Sequence, residues 1–126
     1  MRGIIEDMNE QFWAYLHQLV LTSELIIDRP KGSQHPRYPQ VVYPVDYGYL
    51  AGTTAGDGVG IDVWRGTLSQ AELQGVVMTV DLTKRDAEIK ILIGCTPDEI
   101  SQIETFHNKD NMQAIKCLKI SMKAEE

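Results

Sequence analysis

The sequence predicts a mainly β domain of the α+β class, in which several short strands close into a small barrel with one N-terminal and one C-terminal helix. Three observations predict it. Apolar residues recur at helical spacing only near the start of the chain and again around residue 100. Between those stretches lie short extended runs punctuated by glycine, proline and aspartate. The length, 126 residues with 43% apolar and 24% charged side chains, suits a single soluble domain with its own core.

Taken in order, residues 5–20 place Ile5, Met8, Phe12, Leu16 and Leu19 at intervals of three and four. That spacing predicts an amphipathic helix, and Glu6, Asp7 and Glu10 in its early turns favour the positive end of the helix dipole. Leu25-Ile26-Ile27 is a short strand running to Asp28 and stopped by Arg29-Pro30. Residues 30–40 carry Pro30, Gly32, Ser33, Pro36 and Pro39 and form an irregular loop. Residues 41–50, rich in Val and Tyr, read as extended, with Pro44 at an edge or bend. Residues 53–60 form a glycine-rich loop around Asp57. Three more strands follow at 61–67, 73–83 and 88–95, the last two parted by a turn at Lys84-Arg85-Asp86. Thr96 then opens the second helix. Glu99 completes a capping box, Pro97 sits where no hydrogen bond is lost, and Ile100, Ile103 and Phe106 form the apolar stripe. Residues 112–122 mix both periods and read as a short strand. With no repeat or linker, the chain is one domain over 1–126, a helical extension at 1–21 followed by barrel and helix at 22–122.

The net charge of −6 disfavours nucleic acid as a partner, because a phosphate backbone needs a basic face. No apolar run approaches the roughly 20 residues that span a bilayer, so no membrane is expected. Met1 to Asp7 carries acids at once and has no hydrophobic secretion segment, and Cys95 and Cys117 are too few for a disulfide framework. Both thiols are expected reduced, in the core of a cytoplasmic protein. An acidic chain still binds an anion when metal cations lie between the two.

The aspartates stand at strand ends. Asp28 closes the first strand, Asp57 and Asp62 bracket Gly58-Val59-Gly60-Ile61, and Asp81 and Asp86 bracket a strand-to-strand turn. Converging there, they would offer a hard cation such as Mg²⁺ the oxygen ligands it prefers. The simpler reading is that aspartate favours turns, because its side chain bonds its own backbone.

The run Tyr43-Pro44-Val45-Asp46-Tyr47-Gly48-Tyr49-Leu50, followed by Asp57-Gly58-Val59-Gly60-Ile61-Asp62-Val63, resembles the signature of the soluble family I inorganic pyrophosphatases. The likeness extends upstream to Ile27-Asp28-Arg29-Pro30-Lys31-Gly32-Ser33. Downstream it reaches Met78-Thr79-Val80-Asp81, Asp86-Ala87 and His107-Asn108-Lys109-Asp110. It implies an OB-like five-stranded β-barrel and a cytoplasmic, commonly oligomeric hydrolase that splits pyrophosphate into two phosphates with Mg²⁺, or Mn²⁺, as cofactor. By position, Asp57, Asp62 and Asp86 would form the tightest metal site. Asp81 and Asp86 would hold a metal arriving with substrate, near Asp28. Asp57, Asp62 and Tyr47 would be the catalytic groups, and Arg37, Tyr47 and Lys109 would bind phosphate.

The chain departs from that pattern at defined points. Val59 stands where the family has the aspartate that deprotonates water, and losing a positioned base costs about 10²–10⁴-fold. Pro39 replaces a glutamate, and only three residues separate it from Tyr43, too few for a phosphate-binding hairpin. Glu88 replaces a lysine, and Asn108 a tyrosine. His35 is a candidate phosphate donor or substitute base, against the simpler reading of an exposed loop histidine. Arg29, Lys31 and Arg37 make its loop basic. Trp64 is expected to pack, His17 and His107 to be structural or solvent-facing, and the Phe12-Trp13 helix to cover core or a subunit contact in a homo-oligomer. Two alternatives to pyrophosphate hydrolysis follow: a non-catalytic metal- and phosphate-binding homologue, and a hydrolase of a larger phosphorylated substrate admitted by the missing hairpin.

Overall fold

The computed structural model describes residues 2–119, with side chains from residue 9 onward. The expected roles of Ile5, Glu6, Asp7 and Met8 side chains, and the end of the last strand at 120–122, lie outside the described residues. The elements are α1 (Arg2–Leu21), β1 (Leu25–Arg29), β2 (Asp46–Leu50), β3 (Ile61–Arg65), β4 (Leu73–Asp81), β5 (Asp86–Ile93), α2 (Pro97–His107) and β6 (Met112–Leu118).

The strands form one open sheet in the order β1-β2-β3-β5-β4-β6, not a closed five-stranded barrel. The reason is the sixth strand. β6 pairs antiparallel along β4 from Asp81↔Met112 to Gly75↔Leu118, so it takes the edge that β1 would need to close the sheet. β1 pairs with β2 alone among the described residues. β3 and β5 run parallel, from Asp62↔Lys90 to Arg65↔Ile93, while the other neighbours are antiparallel. Residues 41–45 lie outside the strands, with only a bridge between Gln34 and Val42, because Pro44 cannot donate to a ladder.

Strand alternation splits the core in two. One face carries Leu50, Val63, Leu73, Ile91 and Ile93, covered by Trp13, Leu16 and Val20 of α1. The stripe expected on this helix is therefore turned. Phe12 and Leu19 are 50% and 41% exposed, because docking through Trp13 buries a larger ring beside the shared Leu16. The other face carries Tyr43, Val45, Trp64, Val77, Leu92 and Cys95, covered by Ile100 and Ile103 of α2. The α2 start matches its local chemistry. The Thr96 side chain accepts from Glu99 N, the Glu99 side chain accepts from Thr96 N at 2.8 Å, and Pro97 occupies the first turn. Cys95 is buried, its thiol pushed up to about 11 by burial. Cys117 is exposed, contrary to the expectation of a core thiol, because it lies on the edge strand β6.

Trp64 is fully buried and packs edge-on against Phe106 and His107. Its indole Nε1 donates to His107 Nε2 at 3.1 Å, which places the imidazole proton on Nδ1, facing Met112 Sδ. Burial, with the Lys90 charge adding, lowers the His107 pKa to about 3. The unfolded chain takes up a proton below about pH 6.5, whereas the folded one does so only near 3. Stability therefore falls as pH drops through that window. From pH 7.5 to 5.0 this residue is expected to remove about 2 kcal/mol in urea unfolding. His107→Gln keeps an acceptor for Trp64 and is expected to flatten that part of the profile; an unchanged slope would contradict the assignment.

Candidate functional site

On β5, residues two apart share a face, so Asp86, Glu88 and Lys90 point to the same side as Leu92, toward α2. β3 contributes Asp62 beside Trp64, and β2 contributes Tyr47. The parallel register sets Asp62 directly opposite Lys90. The result is a closed polar network in the floor of the site. Lys90 Nζ donates to Glu88 Oε1 at 2.8 Å, to Asp62 Oδ2 at 3.0 Å and to Tyr47 Oη at 3.0 Å. The Tyr47 hydroxyl donates its own proton to Asp62 Oδ2 at 2.6 Å. Lys90 is 6% exposed, and among the described residues no buried side-chain polar atom lacks a partner.

Burial opposes the Lys90 charge, but Tyr47, Asp62 and the Glu88 hydrogen bond outweigh it and hold the pKa above the ordinary lysine value. Burial also pushes the Tyr47 phenol well above its usual range, with Asp62 adding to the rise and Lys90 opposing it. The site therefore holds an ammonium beside a neutral phenol.

Above this floor opens a cavity of about 760 Å³. Asp28, Asp57, Asp62, Asp81 and Asp86 all line it, together with His35, Tyr47 and Lys109. Arg37 is not among the lining residues; its backbone N–H donates to His35 Nδ1 at 3.0 Å. Partial burial, then the nearby Arg29 and Arg37 charges, lower the His35 pKa. Arg29, absent from the expected ligands, lines the cavity with its guanidinium bonded to Tyr43 Oη at 2.6 Å. Acidic lining residues outnumber Arg29, Lys84, Lys90 and Lys109 by three, counting Asp28, Asp57, Asp62, Asp81, Asp86, Glu88 and Asp110. A bare polyanion is repelled from such a lining unless it brings cations with it.

The aspartates share the cavity without converging. Among the described residues no three His, Cys, Asp or Glu side chains are grouped to hold a metal ion. Four of the five have a partner within the protein instead. Asp57 Oδ1 accepts from Val59 N at 3.0 Å, and Asp81 Oδ1 accepts from Thr83 N and Lys84 N at 2.9 and 3.1 Å. Asp86 lies 3.6 Å from Lys84, and Asp62 is held by Lys90 and Tyr47. The turn role expected of aspartate is thus filled by Asp57 and Asp81. As arranged, the residues do not fit a preformed metal site.

Comparison with known proteins gives one line of support. The crystal structure of an inorganic pyrophosphatase from Neisseria gonorrhoeae superposes on the chain with a TM-score of 0.57, covering 71% of this chain and 77% of that one at 20% identity. The fold is pyrophosphatase-like. No protein-family model matches the chain, and no curated protein matches its sequence. At this identity the likeness speaks for the fold alone. No helix among the described residues is long and apolar enough to cross a membrane.

Lys90 is a second site residue, after Arg29, to which sequence reasoning assigned no ligand role. Its signal was a charge two residues from Glu88, within the otherwise apolar run Ile89 to Ile93. A charge inside a buried strand needs a partner on the same face of a neighbouring strand.

Proposed function

We propose that the wide cavity takes a phosphorylated small molecule of the pyrophosphate class as its magnesium complex, and that the chain hydrolyses its phosphoanhydride bond to two phosphates. The observation that carries this reading is the set of five aspartates, from four strands and a loop, around one cavity whose lining is net acidic. A ligand of that kind supplies cations to the carboxylates and phosphate oxygens to the lysines. Asp57, Asp81 and Asp86 join Asp28 as the carboxylates that face the cations, since their present partners are backbone groups or an exposed lysine. Lys84, Lys109 and Arg29 meet the phosphate oxygens, and His35 donates from Nε2. The pyrophosphatase-like fold and the Tyr43–Val63 resemblance support the same substrate class.

A second reading, binding without turnover, is favoured by one specific observation. Val59 occupies the turn where the family's base would stand, and it is 63% exposed and accepts no proton. Two measurements separate the readings: calorimetric binding of pyrophosphate with Mg²⁺ or Mn²⁺, and phosphate release under the same conditions. Release above background that falls at least tenfold in Asp86→Asn is expected for the hydrolase. Binding without release establishes the second reading, and neither binding nor release removes both. A panel of nucleotides and phosphate esters tests whether a larger substrate is preferred.

Self-association belongs to the same reading. Phe12, Val80, Ile89 and Ile115 leave apolar side chains exposed around a second cavity of about 660 Å³. Sedimentation velocity is expected to give a mass above the 14.2 kDa of one chain, and a strict monomer would refute it.

A further inference from the structure

We propose that Lys90 is a built-in cation, whose ammonium fills the place between Asp62, Glu88 and Tyr47 that a divalent ion would otherwise take, so that Asp62 is not a metal ligand in this chain. The inference concerns the cavity of the proposed function and deepens that reading, but it is tested by metal binding rather than turnover.

The geometry carries it. Three N–H donors of the ammonium meet three acceptors at 2.8–3.0 Å, and all three acceptors belong to side chains on one face of three adjacent strands. Asp62 Oδ2 takes two hydrogen bonds, one from Lys90 and one from Tyr47, so the oxygen facing the network is fully used. A hard divalent cation seeks such oxygens at about 2.0–2.1 Å. It could reach them only by displacing the ammonium or by sitting beside it, and a like charge beside this nearly buried ammonium is strongly repelled. Lys90 is placed for this by register: it lies opposite Asp62 on β3 and two residues from Glu88 on its own strand. Its Nζ also lies over the Tyr47 ring, 5.5 Å from the ring centroid, a cation–π contact that helps hold the side chain in place. The positive charge at this end of the cavity is thereby covalent and permanent, and of the five aspartates a cation carried by the ligand has Asp28, Asp57, Asp81 and Asp86 left to meet.

The test counts bound Mn²⁺ on the full chain by electron paramagnetic resonance and follows melting temperature. In Asp62→Asn, Mn²⁺ affinity is expected to stay within about twofold of the parent, because Asp62 holds no ion; parent and variant both taking no Mn²⁺ supports the proposal equally. In Lys90→Met, one Mn²⁺ more than in the parent is expected to bind and to raise the melting temperature. The added site should vanish in the Lys90→Met/Asp62→Asn double variant. A tenfold or greater loss of affinity in Asp62→Asn, or a folded Lys90→Met with no added site, overturns the proposal. Should Lys90→Met fail to fold, Asp62→Asn decides alone, since Glu88 still partners Lys90 in that variant. Phosphate release can be absent while these results hold, so failure of the hydrolase reading and failure of this one are told apart.

Discussion

Lys90→Met is expected to lower the unfolding free energy by about 3 kcal/mol at pH 7 without added metal, measured by urea denaturation. Removing the ammonium leaves the carboxylates of Asp62 and Glu88, 30% and 18% exposed, facing each other across a face that has lost its cation. The figure lies at the lower end for a broken buried ion pair, because Asp62 keeps some contact with water. The Tyr47 hydroxyl still donates to Asp62, but one phenol proton does not replace an ammonium serving two acids. The double variant Lys90→Met/Asp62→Asn is expected to cost clearly less than the sum of the two single changes, since each already removes the same interaction. Strict additivity would mean that the pair contributes no coupling, and that the network seen here is incidental to stability.

Gly48→Ala is expected to cost about 3 kcal/mol, the upper end for overpacking, and is read by the same denaturation experiment. Gly48 lies on β2 opposite Ile27 of β1, and a Cβ there would overlap the Ile26 carbonyl oxygen, with the Ile27 Cα 2.8 Å away. Those atoms are backbone, so no side-chain rotation relieves the clash and the two strands must separate. Gly56→Ala provides the control. It lies in open space in the loop before Asp57, and its substitution is expected to stay within about 0.5 kcal/mol of the parent. A Gly48→Ala protein as stable as that control would show that β1 and β2 are not held this closely. The Tyr47-Gly48-Tyr49 run thus combines two demands at one place: a tyrosine that joins the polar floor and a glycine that lets the edge strand approach.

How much of the fold is legible in the sequence depends on the range of the interactions involved. Thr96, Pro97 and Glu99 announce the start of α2 because a capping box closes within four residues, and the observed hydrogen bonds are those expected of it. β1, β3, β4 and β5 are legible as short extended runs. The expectation that Trp64 packs also holds, since it is fully buried. The closed barrel is not borne out, because closure depends on which strand takes the free edge of β4, and no local pattern says that β6 does. The α1 stripe is displaced by one position from the expected one. Phe12 and Trp13 are both apolar, and only the docked sheet face selects between them.

The same division runs through the candidate site. The amino-acid order alone placed aspartates at strand ends, offered Asp57 and Asp81 as turn residues beside their reading as metal ligands, and put a valine at 59. It took the folded arrangement to leave Arg37 out of the cavity lining, to bring Arg29 into it, and to hand Asp62 to a lysine 28 positions away. Turn formation is settled by neighbours in the chain, a few bonds apart. The partner of a buried charge is settled by strand register, which brings together residues that nothing in their local sequence relates.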